Sequence, residues 1–171
     1  MKAMQDFKVL LVDDEEDFLE SLSERLRLRD VESDRARSGE EALERIRGEE
    51  PTVIVLDLKM PGMHGLEVLK RLKKTHPHVQ VVILTGHGSD KDREEAERLG
   101  AFAYLTKPVR MDTLMKSIRG ACRRFKDLKH SVDTALMASA MAQAGEVDLA
   151  RQLMEEEERY QEEQQDKRRS E

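Results

Sequence analysis

Cysteine occurs once in this sequence, at Cys122, which excludes an internal disulfide framework and any zinc site built from several cysteines. It lies in a helical pattern and reads as a packing thiol. No apolar run approaches the roughly 20 residues that a membrane span needs. The first residues, Met1 to Phe7, hold no apolar segment of the secretory type. Positive charge is not in excess either: 30 Lys and Arg stand against 36 Asp and Glu, a formal net charge of −6. That balance argues against non-specific binding to DNA or to an anionic membrane surface. These absences leave a soluble, reduced chain, expected in the cytoplasm. Its 171 residues suffice for one well-buried domain and a small addition.

What is present is organised around Thr52-Val-Ile-Val-Leu-Asp57, followed by Leu58-Lys59-Met60-Pro61-Gly62. Val53 to Leu56 is a purely apolar run of the kind buried on both faces of a parallel sheet. Similar runs occur at Phe7 to Val12, Val79 to Leu84 and Ala101 to Leu105. A polar one, near Val31 to Arg37, suits an edge strand, where charge resists pairing with other chains. Between them lie helical patterns at about Glu15 to Arg29, after Ser38-Gly39-Glu40-Glu41, from Gly65 to before Pro77, at Asp90 to Leu99, and from near Arg110. Ser38 or Gly39 reads as the cap, with Glu41 at the third position of a capping box, and Gly100 as a helix stop. Five strands alternating with helices predict an α/β fold with a doubly wound parallel sheet.

Four polar elements end predicted strands: Asp13-Asp14 after the first, Asp57 after the third, Thr85 after the fourth and Lys107 after the fifth. In the strand order 2-1-3-4-5 the first and third strands are neighbours at the switch point, and the crevice there opens at their carboxyl ends. Asp13, Asp14 and Asp57 then converge, with Thr85 and Lys107 across the rim. Three clustered carboxylates repel one another unless a cation neutralises them. An oxygen-only set suits Mg²⁺. Beside it Asp57 can act as a carboxylate nucleophile toward a phosphoryl group, with Lys107 and the Thr85 hydroxyl facing the transferring oxygens.

With those residues in place, the stretch from Phe7 to Arg124 resembles the receiver domain of two-component response regulators, a flavodoxin-like fold. The resemblance implies that Asp13-Asp14 is the acidic pair, Asp57 the phospho-acceptor, Thr85 the switch hydroxyl and Lys107-Pro108 the Lys-Pro pair, whose peptide is usually cis in this family. Tyr104 stands where the family carries an aromatic that rotates inward. Leu84 to Gly88 (LTGHG) is similar to receivers of the nitrogen-regulation type. A histidine kinase or phosphotransfer protein is the implied phosphoryl donor. The chain is then a signalling switch and not an enzyme acting on outside substrates. A haloacid-dehalogenase-like phosphatase would carry an acid where Lys59 stands, and an inactive receiver would lack one of the acceptor-site residues.

Blander readings apply to single residues. Asp13-Asp14 alone could cap the first helix. His64 and His87 lie in loops without metal-ligand spacing and read as solvated. Lys59 and His87, each two residues beyond a site residue, are candidates for controlling water access to the phosphoryl group.

The domain organisation expected is a receiver at residues 1–126, a helical extension at 127–158 and a charged, disordered tail at 159–171. Met111, Leu114, Ile118, Ala121, Phe125, Leu128, Val132 and Ala135 follow a heptad pattern interrupted only by Gly120. Gly145 is the first strong stop, and Asp148 is placed to cap a final helix carrying Leu149, Ala150, Leu153 and Met154. Ala135, Ala138, Ala140, Ala142 and Ala144 are expected to pack closely in an αα-hairpin. The extension is expected to dimerise or to dock an unknown downstream protein. The basic residues Arg119, Arg123, Arg124, Lys126 and Lys129 read as a solvated flank, and no direct DNA binding is expected.

Overall fold

The computed structural model describes residues 7–170. In chain order the elements are β1 (Val9–Val12), α1 (Glu16–Arg27), β2 (Ser33–Ala36), α2 (Gly39–Gly48), β3 (Val53–Leu56), α3 (Gly65–Thr75), β4 (Gln80–Thr85), α4 (Asp90–Arg98), β5 (Ala103–Thr106), α5 (Met111–Gln143) and α6 (Val147–Arg169). The five strands form one parallel sheet in the order β2-β1-β3-β4-β5. The chain divides into two compact units, residues 1–125 and 126–171, and the division falls inside α5.

In the first unit β1, β3 and β4 are buried along their whole length, which is why they read as unbroken apolar runs. Successive side chains of a strand point to opposite faces. Leu11, Val55 and Leu84 accordingly pack with Leu19, Leu22 and Leu26 of α1 and with Leu114 and Ile118 of α5. Leu10, Ile54, Leu56 and Ile83 pack on the other side with Ala42, Ile46, Val68, Leu69 and Leu72 of α2 and α3. The polar β2 lies at one edge, as its composition predicts. Ser38 caps α2 by accepting from the Glu41 amide at 3.1 Å, but the Glu41 carboxylate reaches back to the Arg37 amide instead of closing the box on Ser38. A full capping box forms at the start of α4, between Ser89 and Asp92. Gly120 is accommodated within α5, where a Cβ would lie 2.9 Å from the Phe102 ring.

The heptad stripe divides between two fates. Met111, Leu114, Ile118 and Ala121 belong to the core of the first unit, whereas Val132 and Ala135 are exposed.

In the second unit α5 turns at Gly145, which adopts φ +87°, and α6 follows. The N-cap of α6 is Glu146, without a side-chain cap bond, and not Asp148, which lies in the first helical turn. Of the five alanines expected to pack closely, only Ala138 is buried. The charged stretch 159–169, expected to be disordered, continues α6 to Arg169. The seam of this hairpin is polar. Glu157 is buried and accepts from Ser131 Oγ at 2.7 Å, Thr134 Oγ1 at 3.2 Å and Gln161 Nε2 at 2.7 Å, with His130 Nδ1 at 2.7 Å. His130 stacks on Tyr160 at 4.6 Å, and Asp127 pairs with Arg168.

Candidate functional site

The parallel register sends every strand's carboxyl end to the same rim. Val12 pairs with Leu56, Leu56 with Ile83, and Thr85 with Thr106, so the residues that follow meet there. Asp13 and Asp57 are buried and Asp14 is exposed, and carboxylate oxygens of the three lie within 4.8 Å of one another. Backbone bonds fix the approach: the Asp57 amide donates to Val12 O at 2.9 Å, and the Asp13 amide to Ala36 O at 3.2 Å. Asp13 Oδ1 also accepts from the Glu15 amide at 3.0 Å, but Glu15 is the N-cap of α1 and has no side-chain cap bond, so neither Asp13 nor Asp14 caps that helix.

Thr85 is fully buried at the end of β4. Its carbonyl accepts from the Lys107 amide at 2.9 Å, which ties the loop after β5 to β4. The Lys107–Pro108 peptide is cis. Lys107 Nζ pairs with Asp13 and lies 4.0 Å from the centroid of the Phe18 ring. Phe18 thus shields one side of the ion pair, a role that its helical spacing alone did not single out.

Burial pushes the Asp57 carboxyl above its ordinary range. The Asp13 charge adds to the rise, while the Thr85 hydrogen bond, the Lys107 charge and the Leu58 amide oppose it. Two buried acids and one exposed acid, all oxygen donors, at a position where the anionic form is disfavoured, match the requirements of a hard divalent cation. The residues present fit such an ion.

Two glycines shape the site. At Gly65 a Cβ would lie 2.3 Å from the Asp57 carbonyl oxygen, so its absence lets the start of α3 close under the acceptor loop. At Gly88 a Cβ would lie 1.7 Å from Tyr104 Oη. Tyr104 therefore occupies the space above Gly88 and beside Thr85, and its hydroxyl is buried without a hydrogen-bond partner among the described residues. Burial raises the Tyr104 phenol, with Asp92 adding to the rise, while the Arg93 guanidinium, 4.7 Å from the ring centroid, opposes it. Arg93 sits in a helix of mixed charge, and no sequence signal distinguishes it.

Lys59 and His87 are exposed at the same rim. His64 departs from its expected role as a solvated loop residue. It is half-buried and caps α3, with Nδ1 accepting from the Leu66 amide at 3.2 Å.

Among the described residues no helix is long and apolar enough to cross a membrane. A family model for the response regulator receiver domain matches residues 9–119. Sporulation initiation phosphotransferase F of Bacillus subtilis is 33% identical over 126 residues, which is 74% of this chain and 98% of that protein. Regulatory protein LuxO of Vibrio cholerae is 38% identical over 104 residues, but the match spans only 23% of its length and 61% of this chain. Among solved structures, a response regulator receiver domain protein from Clostridium thermocellum aligns with TM-score 0.68 at 36% identity, covering 71% of this chain and 98% of that one. A CheY-like receiver domain protein from Methanospirillum hungatei gives TM-score 0.68 at 28% identity, covering 70% and 96%.

Proposed function

This chain belongs to the response regulator receiver family of two-component signalling, and from that premise we propose that it is a phosphorylation switch whose acceptor is Asp57. The observation that carries the reading is the meeting of Asp13, Asp14, Asp57, Thr85 and Lys107 at one rim of the sheet. A carboxylate oxygen of Asp57 attacks the phosphorus of a phosphohistidine donor. The new O–P bond forms as the N–P bond breaks, and the donor imidazole keeps the electron pair of the broken bond.

Lys107 already pairs with Asp13 and its charge acts on Asp57, so a phosphoryl group on Asp57 gives its ammonium a second anionic partner. Thr85 faces the same group with a hydroxyl that can donate to it. Asp13, Asp14 and Asp57 would hold Mg²⁺, which when bound supplies charge neutralisation for the acids and for the transferring oxygens. Tyr104, packed against the Thr85 side chain, follows the movement of that residue. Lys59 and His87 limit how water reaches the phosphoryl group.

The donor is a histidine kinase or phosphotransfer protein in the cytoplasm, a reading supported by similarity to a phosphotransferase matched over 98% of its length. The chain catalyses only its own phosphorylation and dephosphorylation. Every acceptor-site position is filled, which disfavours an inactive receiver, and Lys59 stands where a dehalogenase-type phosphatase would need an acid.

The signal leaves through α4, β5, α5 and the hairpin, biasing an existing equilibrium. Because half of the heptad stripe is spent in the receiver core, docking of another protein is favoured over a homodimer zipped along α5.

The reading is tested by incubating the chain with acetyl phosphate and Mg²⁺ and measuring intact mass. Wild type is expected to gain one phosphoryl group and Asp57→Asn none. An unmodified wild type, or equal modification of the variant, would overturn it.

A further inference from the structure

Helices α2 and α3 pack on the same face of the sheet, and their C-terminal halves leave a cavity of about 250 Å³ between them. From α2 it is lined by Leu43, Ile46 and Arg47, and from α3 by Arg71, Lys74 and Thr75. Each set is spaced i, i+3, i+4, so each occupies one side of its helix, and the two sides face each other. His76, the C-cap of α3, completes the lining. The apolar groups lie deepest: Ile46 is 2% exposed and Leu43 half-buried, whereas Arg47, Arg71 and Lys74 are exposed. The result is an apolar floor under a cationic rim. Its volume is a little below the ~300–1,000 Å³ of pockets that hold drug-sized molecules, so it suits a small ligand.

Charge decides what fits there, and the lining holds no acid. Arg71 is held by Glu67 at 2.7 Å, one turn back along α3, and Glu50, 3.9 Å from His76 Nε2, is already bonded to His78 at 2.6 Å. Arg47 and Lys74 have no carboxylate partner among the described residues. Both stand in the last turn of a helix, where a cation offsets the carbonyl end. That accounts for their sign but not for an apolar hollow between them. It also limits the charge of the ligand. Two helix C-termini, each equivalent to about half a negative charge, converge here and oppose a dianion more than a monoanion. A single carboxylate on a short apolar body meets each of these features. The body covers Leu43 and Ile46, and the head lies among Arg47, Arg71 and Lys74.

We propose that the groove between α2 and α3 is a second ligand site, which binds a small aliphatic monocarboxylate. It is remote from the acceptor. Helix α3 begins at Gly65, packed against the Asp57 carbonyl, and Lys74 lies about 14 Å farther along its axis. The proposal goes beyond the phosphorylation switch and does not rest on it, so the two can fail separately.

Octanoate is titrated into the isotopically labelled full-length chain, and backbone amide shifts are followed by NMR. Saturable shifts are expected in residues 43–48 and 71–76, with an apparent Kd of about 1 mM or below. Octanol, which has the same body without the charge, is expected to bind at least about tenfold weaker, and octyl phosphate, which can carry a second charge, no tighter than octanoate. The double variant Arg47→Gln, Lys74→Gln, with unchanged helical circular dichroism and unchanged phosphorylation by acetyl phosphate, is expected to lose about tenfold or more in affinity for octanoate. Leu136→Ser, which removes an exposed apolar group of the hairpin, is expected to keep it. Octanol binding equal to octanoate, tighter binding of octyl phosphate, or full affinity in the double variant would overturn the proposal. So would shifts that fail to saturate or that centre on the hairpin. Asp57→Asn serves as a parallel sample: retained octanoate binding beside failed phosphorylation separates this inference from the switch.

Discussion

Leu56 in β3 is fully buried, and Leu136 in α5 is 65% exposed. The same residue type serves opposite purposes in the two units. In the receiver, apolar strands and helix faces close on one another and polar groups gather at a single rim. In the hairpin, Asp127, Thr134 and Glu157 are buried beside Ala138 and Ala150, and several larger apolar side chains, Leu136 among them, are exposed. A core of the first kind supplies stability from burial. A seam of the second kind fixes register through hydrogen bonds. The difference implies that apolar burial holds the receiver together, whereas the hairpin relies more on polar contacts, those of Glu157 among them.

The largest expected contrast sets those two leucines against each other. Leu56→Ala removes packing between α2, α3 and the sheet and is expected to destabilise the receiver by about 2–5 kcal/mol. Leu136→Ala is expected to change stability by less than about 0.5 kcal/mol. Urea unfolding followed by circular dichroism measures both, and a comparable loss in the two variants would break the contrast.

How much of this was legible in the sequence follows from the same physics. The receiver fold was readable because strands buried on both faces need uninterrupted apolar runs, and because Asp13, Asp57, Thr85 and Lys107 interrupt the pattern at strand ends. The contact of Lys107 with Asp13 followed from topology, but the place of Phe18 beside it did not. Gly65 and Gly88 were not readable as close approaches, since what a Cβ would meet there comes from elsewhere in the chain. The hairpin was harder. A stripe of apolar residues on a helix normally marks the buried side, and here the stripe runs from a core into solvent. Glu157 is one of four consecutive glutamates, Glu155 to Glu158, and no local feature says which of them turns inward. The charged stretch 159–169 looked disordered because its contacts, such as Arg168 with Asp127, are made across 41 positions of sequence.

Glu157 provides the next test. Burial disfavours its charged form, but the Gln161, Ser131 and Thr134 hydrogen bonds and the His130 charge outweigh that, and the carboxyl is held below its ordinary range. A carboxyl lowered in the folded state contributes stability above its unfolded pKa, near about 4.3, and that contribution is lost as pH falls through the folded value. Glu157→Ala leaves three donors without their acceptor and is expected to cost the hairpin about 2–3 kcal/mol. Hydrogen exchange should show faster exchange in residues 126–169 and unchanged protection in β3 and β4. Acidification below pH 4 should reproduce that local loss in wild type and not in the variant. Equal loss of protection in the strands would show that the two units stand or fall together.

The smallest expected effect lies at a partly buried charge of the receiver away from its rim. Lys73 Nζ donates to Val79 O at 2.8 Å, and burial, aided by the Arg124 charge, lowers the ammonium from 10.5 to about 8. A lysine whose folded pKa lies below its unfolded one is a net cost at neutral pH. The cost is present in full below about pH 8 and fades as pH rises from there to 10.5. The shift bounds the cost at about 3 kcal/mol, and the lost Val79 bond takes back about 1 kcal/mol. Lys73→Met is therefore expected to stabilise the receiver by about 1–2 kcal/mol at pH 7, a rise in Tm of about 2–4 °C per kcal/mol. The gain should shrink toward pH 10. Lys167→Met, on the exposed side of α6, should move Tm at neither pH. A destabilised Lys73→Met at pH 7 would mean that the receiver, like the hairpin, relies on its buried polar contact, and the division between the two units would lose its sharpest edge.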